Sequence, residues 1–389
     1  MIKRIGVKNF KSLADFDFKL SKFNCLIGMN GAGKSTVLQA IDFIAQLMEG
    51  DVDKWLERRK WTAQELNCKL LSRSNIGLGI EYQTKNGNQI TWRCLFNRHE
   101  LLCSTEEITV DGVEQLRVKS KQYRIGENSG ENRYIDIAFN YQGSILSLLS
   151  DSVLTDSIQE FRDGMRRILS LELLSPELLR QRARSSDVDI GSGGEKLSAF
   201  LHGIKGEKRE SLIKLLQSFY PNLQDYKVSS QQSGWKKLTI IEKFEHQKIE
   251  TEARHINDGL LRILAILAQS SSNHSLILLD EIENGINPEI VEKLVDSLVN
   301  STQQILVTTH SPMILNYLED ATARDSVQFI YKNDKGETRA RPFFSIPRIG
   351  EKLDYMGPGE AFVDTDLFAL TQECVALDEK ESEEKVNAK

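Results

Sequence analysis

Residues 28–36 read GMNGAGKST and follow the apolar run Phe23-Asn24-Cys25-Leu26-Ile27 without a break. Gly28, Gly33, Lys34 and Ser35 fill the pattern G-x-x-x-x-G-K-[ST]. Glycines in that pattern let the backbone wrap phosphate oxygens with its N–H groups, the lysine bridges the outer phosphates, and the hydroxyl ligates Mg²⁺. Asn30, Gly31, Gly33, Lys34, Ser35 and Thr36 are therefore the expected phosphate contacts. Beyond them Val37, Leu38, Ile41, Ile44 and Ala45 recur at helical spacing, which gives the order strand, glycine loop, helix.

Two further strand ends complement this loop. SLILLDE (275–281) is an apolar run closing in two carboxylates, and a parallel sheet exposes such ends at one edge. Asp280 is expected in the Mg²⁺ shell with Ser35, and Glu281 as the general base toward an attacking water. QQILVTTHSP (303–312) is the next strand, ending at His310, within reach of a γ-phosphate at the same edge. YIDIAFNYQGS (134–144) reads as a strand ending at Gln142, a residue suited to bridging metal and water.

GSGGEKLSAF (191–200) and HINDGLLRILAILAQ (255–269) compete for the role of a helix start that meets a phosphate. The second is apolar nearly all round, and only the short SSSNHS separates it from Leu276. Asn257, Asp258 and Gly259 open that helix, where free N–H groups and the positive dipole end suit a phosphate from another subunit. Asp258 faces such a phosphate unfavourably, so its side chain is expected to turn aside or cap. In the first stretch Ser192 and Glu195 stand at capping-box spacing before the apolar face Leu197, Phe200, Leu201 and Ile204.

The rest of the chain sets bounds. Formal net charge is -6, which argues against a generally basic nucleic-acid binder, although Arg180, Arg182 and Arg184 with Arg166 and Arg167 form a local patch. That patch reads either as a DNA backbone contact or as a solvated helix end and loop. The opening MIKRIGVKNF alternates like a strand rather than a signal peptide, and no window nears the ~20 apolar residues that span a bilayer. Five scattered cysteines make no CxxC pair. A cytoplasmic protein with reduced thiols is expected. Residues 76–118 alternate as an antiparallel layer, whereas Leu154, Ile158, Phe161, Met165 and Ile168 share a helical face.

Together these elements resemble the SMC/RecF/OLD branch of the ABC-type ATPases: IGVKNFKSL its first strand, GMNGAGKST its Walker A, Gln142 its Q-loop, INDGLLRILAI its signature, LILLDEIENGINP its Walker B with D-loop, and VTTHSP its H-loop. Lys11 stands where this branch often carries a basic nucleotide contact. The resemblance implies an α/β fold, an ABC-type P-loop ATPase head with a mixed sheet, an antiparallel β layer and a helical insertion. Residues 1–142 and 222–375 would form its two lobes, 143–221 the insertion, and 376–389 a disordered charged tail. It further implies ATP and Mg²⁺ as ligands and a homodimer or higher oligomer that sandwiches ATP between Lys34 of one copy and Asn257 to Gly259 of the other.

Within the branch, EIENGINP is similar to an element of compact prokaryotic anti-phage ATPases of the Septu, retron and OLD types, with Asn287 in place of the usual histidine. The chain is then expected to be the ATPase subunit of a defence complex that controls a nuclease or toxin-like effector. The alternative is a RecF-like, ATP-dependent DNA-binding repair protein. Only 79 residues (389 − 310) follow His310, too few for the TOPRIM nuclease fold of OLD proteins, so Asp364 and Asp366 read as a surface strand or turn.

Overall fold

Along β1 (Ile2–Phe10) the side chains of Ile2, Ile5, Val7 and Phe10 are buried, and β2 (Leu13–Lys19) returns antiparallel with Phe10 opposite Leu13. The computed structural model describes residues 1–126, 134–184, 189–269 and 272–387. β3 (Phe23–Ile27) is buried at every position and leads through the glycine loop into α1 (Lys34–Glu49). α1 ends at Gly50, whose left-handed backbone returns an N–H to the Gln46 carbonyl at 3.0 Å, and α2 (Val52–Arg59) follows. β4 (Asn75–Gln83), β5 (Gln89–Asn97), β6 (Leu102–Val110), β7 (Val113–Lys119) and β8 (Gln122–Ile125) extend the antiparallel sheet in the order β2-β1-β4-β5-β6-β7-β8-β9, with β9 (Ile135–Asp136) at its edge. Phe43 of α1 stacks on Phe10 at 5.6 Å and meets Phe96 edge-on at 5.0 Å, closing the buried face of the sheet on α1.

The strand expected over 134–144 is cut to two residues. Its alternation is real, but Ile135 and Phe139 are 52% and 40% exposed, so no apolar partner rewards continued pairing. Gly143, at φ 69°, then turns the chain against Leu47 of α1, where a Cβ would overlap the helix backbone.

α3 (Asp156–Arg166) buries Ile158, Phe161 and Met165, as its spacing predicts. Inside β10 (Ile168–Ser170) the chain passes from one compact unit, Met1–Ile168 with Glu319–Lys389, to a second, Leu169–Leu318. These limits differ from the expected divisions at 142/143 and 221/222. The second unit holds α4 (Pro176–Leu179), α5 (Leu197–Gly203), α6 (Glu207–Phe219) and a three-stranded antiparallel sheet of β11 (Leu223–Ser230), β12 (Lys236–Phe244) and β13 (Gln247–Glu252). Then come α7 (Asp258–Gln269), β14 (Leu276–Leu279), α8 (Pro288–Val299), β15 (Gln304–Thr308) and α9 (Pro312–Asn316). β14 and β15 pair in parallel, and all their side chains are buried, which is why both read as unbroken apolar runs.

Back in the first unit, α10 (Asp320–Ser326) leads to β16 (Val327–Lys332), parallel to β3, and β17 (Thr338–Pro342), antiparallel to β16. α11 (Pro347–Gly350) and α12 (Pro358–Val363) precede α13 (Leu367–Asn387). The stretch read as a disordered tail from 376 is helical to Asn387. Arg341 donates to Asp378 at 2.6 Å and to Glu381 at 2.7 Å, and the Tyr331 hydroxyl donates to Asp378 at 2.6 Å, so the acidic residues meet partners from β16 and β17. Asp366, read as part of a surface strand or turn, accepts the N–H groups of Phe368 and Ala369 and so caps this helix. All five cysteines are buried thiols without a disulfide, and no helix among the described residues is long and apolar enough to cross a membrane.

Candidate functional site

Three loop glycines hold backbone that side chains rarely adopt: Gly28 at φ 142°, Gly31 at 75° and Gly33 at 113°. Crowding adds to strain at two of them. A Cβ on Gly28 would overlap the Ile330 carbonyl of β16, and one on Gly33 the Thr338 side chain of β17. The Thr338 hydroxyl donates to the Ala32 carbonyl at 2.8 Å and lies 2.8 Å from the Ser12 hydroxyl oxygen, pinning the loop. Lys34 is 5% exposed and folds across the loop, its ammonium donating to the carbonyls of Gly28 at 3.0 Å and Met29 at 3.2 Å. Asn30 and Gly31 are exposed, and Ser35 and Thr36 half-buried. Backbone N–H groups of Gly31, Gly33, Ser35 and Thr36 have no acceptor among the described residues, so the loop is a cradle of unused donors at a helix start.

In the second unit, the end of β14 is organised around Glu281. Its backbone sits at φ 46°, a costly conformation for a residue with a side chain and one that clusters at functional sites. Thr308 of β15 holds this shape: its hydroxyl donates to the Asp280 carboxylate while its oxygen accepts the Glu281 N–H at 2.9 Å. Asn284 donates to one Glu281 oxygen at 2.7 Å, and His310 Nε2 stands 3.8 Å from the other. The His310 N–H donates to Glu283 at 2.9 Å. Arg262, on α7, donates to the carbonyls of Asp280 at 2.7 Å and Glu281 at 2.9 Å. Burial depresses the Arg262 pKa, opposed by the charges of Glu283, Asp280 and Glu281. A carboxylate oriented by Asn284 in this way can accept a proton from a water without first reorganising.

The helix that leads into β14 is α7, whose start is 257–259. Asn257 caps it, its side-chain oxygen accepting the Leu260 N–H at 2.8 Å. Asp258 is turned aside, paired with Arg180, which also donates to the Ile256 carbonyl at 2.8 Å. Neither the Asp258 nor the Gly259 N–H has an acceptor among the described residues. A Cβ on Gly259 would stand 2.6 Å from the Gly285 carbonyl. Asn257, Asp258 and Gly259 share a cavity of about 510 Å³ with Tyr220, Gly285, Asn287 and Ile290, so Asn287, which opens α8, lies beside the start of α7.

The stretch 191–195 differs in each respect. Glu195 does not form the expected capping box, because its carboxylate accepts the Gly193 N–H at 3.0 Å and α5 starts only at Leu197. Gly194, at φ 89°, donates to the Gly191 carbonyl at 3.2 Å, and Lys196 to that of Ile190 at 2.8 Å. α5 is followed by α6 and β11, not by β14. Residues 185–188 lie outside the described residues.

Two expected contacts are placed elsewhere. Gln142 does not sit beside the phosphate loop: it accepts the Asp53 N–H at 3.1 Å and donates to the Asp53 carboxylate, while Ser144 donates its N–H to Leu47 at 2.8 Å. These contacts lie at the far end of α1, roughly 20 Å from Lys34 at 1.5 Å rise per residue. Proximity in sequence to a strand gave no hint of which helix end it meets. The arginine patch is largely consumed as well. Arg182 pairs with Glu252 at 2.7 Å, Arg184 lies over Trp235 at 4.9 Å, and Arg166 donates to the carbonyls of Met48 and Ser147. Lys11, in contrast, stays near the loop, donating to Gln39 of α1 at 2.8 Å.

Residues 1–259 match the model of the AAA ATPase domain family AAA_15. A 44-residue segment is 50% identical to an OLD nuclease of Thermus scotoductus, covering 11% of this chain and only 8% of that relative. Among solved structures, the chain is similar to an Smc head bound to the C-winged helix domain of ScpA (TM-score 0.52, 14% identity, 87% of this chain and 96% of that one). It is equally similar to an Smc head with an extended coiled coil from Pyrococcus furiosus, bound to the C-terminal domain of ScpA (TM-score 0.52, 12% identity, 91% and 99%). At these identities the likeness is one of fold.

Proposed function

Because the chain belongs to the AAA_15 ATPase-domain family and is an SMC/RecF/OLD-type ATPase, we propose that it is a switch that closes into a homodimer on ATP and reopens on hydrolysis. The observation that carries this reading is the pair of unused N–H groups at Asp258 and Gly259, on the helix that Arg262 bolts to Asp280 and Glu281. In a dimer, those amides receive the γ-phosphate held by the partner copy, and α7 transmits its arrival to the carboxylates.

The residues present fit ATP·Mg²⁺. Lys34 and the free loop amides of Gly31, Gly33, Ser35 and Thr36 would take the phosphates, and the Ser35 hydroxyl would supply an oxygen ligand for the metal. When bound, Mg²⁺ neutralises charge on the outer phosphate oxygens. Glu281 would accept the proton of the attacking water, Asn284 keeps its carboxylate oriented, and His310 stands 3.8 Å from that carboxylate. Gln142 has no part in this scheme, since it is engaged with α2.

Glu281→Gln is expected to bind ATP and accumulate a dimer by light scattering, with slowed amide exchange at Asp258 and Gly259. Lys34→Ala should remain monomeric. A monomer in both, with ATP bound to the first, would sink the switch. We further propose that the switch controls a separate effector, a nuclease or toxin-like protein of an anti-phage defence complex, a reading supported by EIENGINP and by the short segment shared with an OLD nuclease. Capture with ATP on tagged Glu281→Gln should recover such a partner stoichiometrically. Recovery of replication and repair proteins would favour the RecF-like DNA-binding alternative, which the internally paired arginines do not support.

A further inference from the structure

On α1, one turn past the phosphate loop, Gln39 follows Ser35 and Thr36 at i+4 and i+3, so the three half-buried residues share a face. Trp61 is joined to this face through Lys11, whose ammonium meets both Gln39 and the Trp61 ring. The Trp61 ring meets Trp55 edge-on at 5.5 Å and 83°, and the Arg59 guanidinium lies 4.9 Å from its centroid. Arg59 in turn pairs with Asp42 of α1 at 2.6 Å, and Asp42 also accepts the Trp55 indole N–H at 2.6 Å. A buried ion pair thus fastens the indole to the helix that carries the phosphate loop. Lys11, the residue that donates to Gln39, places its ammonium 3.1 Å from the Trp61 centroid.

A flat ring, rigidly mounted and half-buried, and covered by one flexible cation is the arrangement a planar ligand can enter by moving a single side chain. A nucleoside triphosphate with its outer phosphates in the loop runs past Thr36 along this face, and Gln39 is about 5 Å further along the helix. That is the reach of a ribose and base. We propose that Trp61 is the stacking platform for the purine base, with Lys11 leaving the ring as the base arrives. A base stacked on an indole is a stronger attraction than an ammonium that keeps contact with water over the same ring, so the exchange favours the base. Gln39, whose amide both donates and accepts, then lies beside the edge of the base. The inference rests on the nucleotide reading above and deepens it from the phosphates to the base.

Titration calorimetry with Mg·ATP and, separately, with Mg·tripolyphosphate tests it on the wild type, Trp61→Ala, Trp61→Phe and Lys34→Ala. Trp61→Ala should weaken ATP at least about tenfold and tripolyphosphate less than about twofold, with Trp61→Phe recovering most of the ATP affinity. Equal losses for the two ligands would mean that Trp61 merely supports the loop, and no loss for either would mean that the base lies elsewhere; each result overturns the proposal. Binding that survives Lys34→Ala undiminished would instead overturn the nucleotide reading, and this inference with it.

Discussion

Two glycine-bearing loops of the second unit, 191–195 and 257–259, look alike on paper and do opposite things with their amides. In the first, the N–H of Gly193 goes to Glu195, that of Gly194 to Gly191 and that of Lys196 to Ile190, so both glycine amides at its turn are spent inside the loop, while those of Ser192 and Glu195 have no acceptor among the described residues. In the second, Asn257 takes the Leu260 N–H and leaves those of Asp258 and Gly259 free. Glycine is needed in both, for crowding against Leu179 at Gly194 and against Gly285 at Gly259. On the proposed function, what separates a phosphate-receiving helix start from a mere turn is therefore the fate of the glycine N–H groups, not the presence of glycine.

The contrast breaks most visibly with Gly259→Val, which drives a side chain onto the Gly285 carbonyl. By analogy with deleting donors to a developing oxyanion, turnover should fall by about 100-fold or more, with no ATP-dependent dimer. The matching Gly194→Ala should cost about 1–3 kcal/mol of folding stability through its strained φ. Its turnover, measured well below the melting temperature, should nonetheless stay near wild type. A folded Gly194→Ala that neither dimerises nor hydrolyses would reverse the assignment of the two loops.

Arg180→Ala sharpens the comparison. It strips Asp258 of its partner and leaves a carboxylate beside the free amides. The pair is partly exposed, at 27% and 52%, so the expected drop in turnover is about three- to tenfold. Asp258→Asn in the same chain should restore most of it, an outcome that a purely structural role for Arg180 would not give. Smallest is Glu195→Gln, which weakens one charge-assisted bond to Gly193 and should lower stability by about 0.5–1 kcal/mol without touching hydrolysis. Any sizeable effect on dimer formation by gel filtration would show that the first loop is not inert.

The phosphate loop and the carboxylate strand were legible because their chemistry is local: positive φ demands glycine at Gly28 and Gly33, and a strand buried on both faces demands an apolar run up to Asp280. Spacing failed where the decisive partner is remote. Ser192 and Glu195 have capping-box spacing, yet Gly194 at φ 89° bends the loop so that Glu195 meets Gly193. Gln142 follows an alternating stretch, but only the packing of Gly143 on Leu47 shows which end of α1 it joins. The acidic end of α13 reads as frayed until Arg341 and Tyr331 arrive from about forty residues upstream. Trp61 carried no motif at all, since its meeting with Lys11 depends on two turns that the fold brings together.

The pinning of the loop by Thr338 bears on the order in which the protein is made. The motif is complete within the first tenth of the chain, yet the hydroxyl that holds Ala32 comes 306 residues later, and Ile330 walls in Gly28 from the same late segment. On a translating ribosome, the nascent loop emerges with its sequence intact and its walls missing. Nucleotide is thus a ligand of the finished chain and not a template for the growing one, and products released before β17 is made should carry the motif without the affinity.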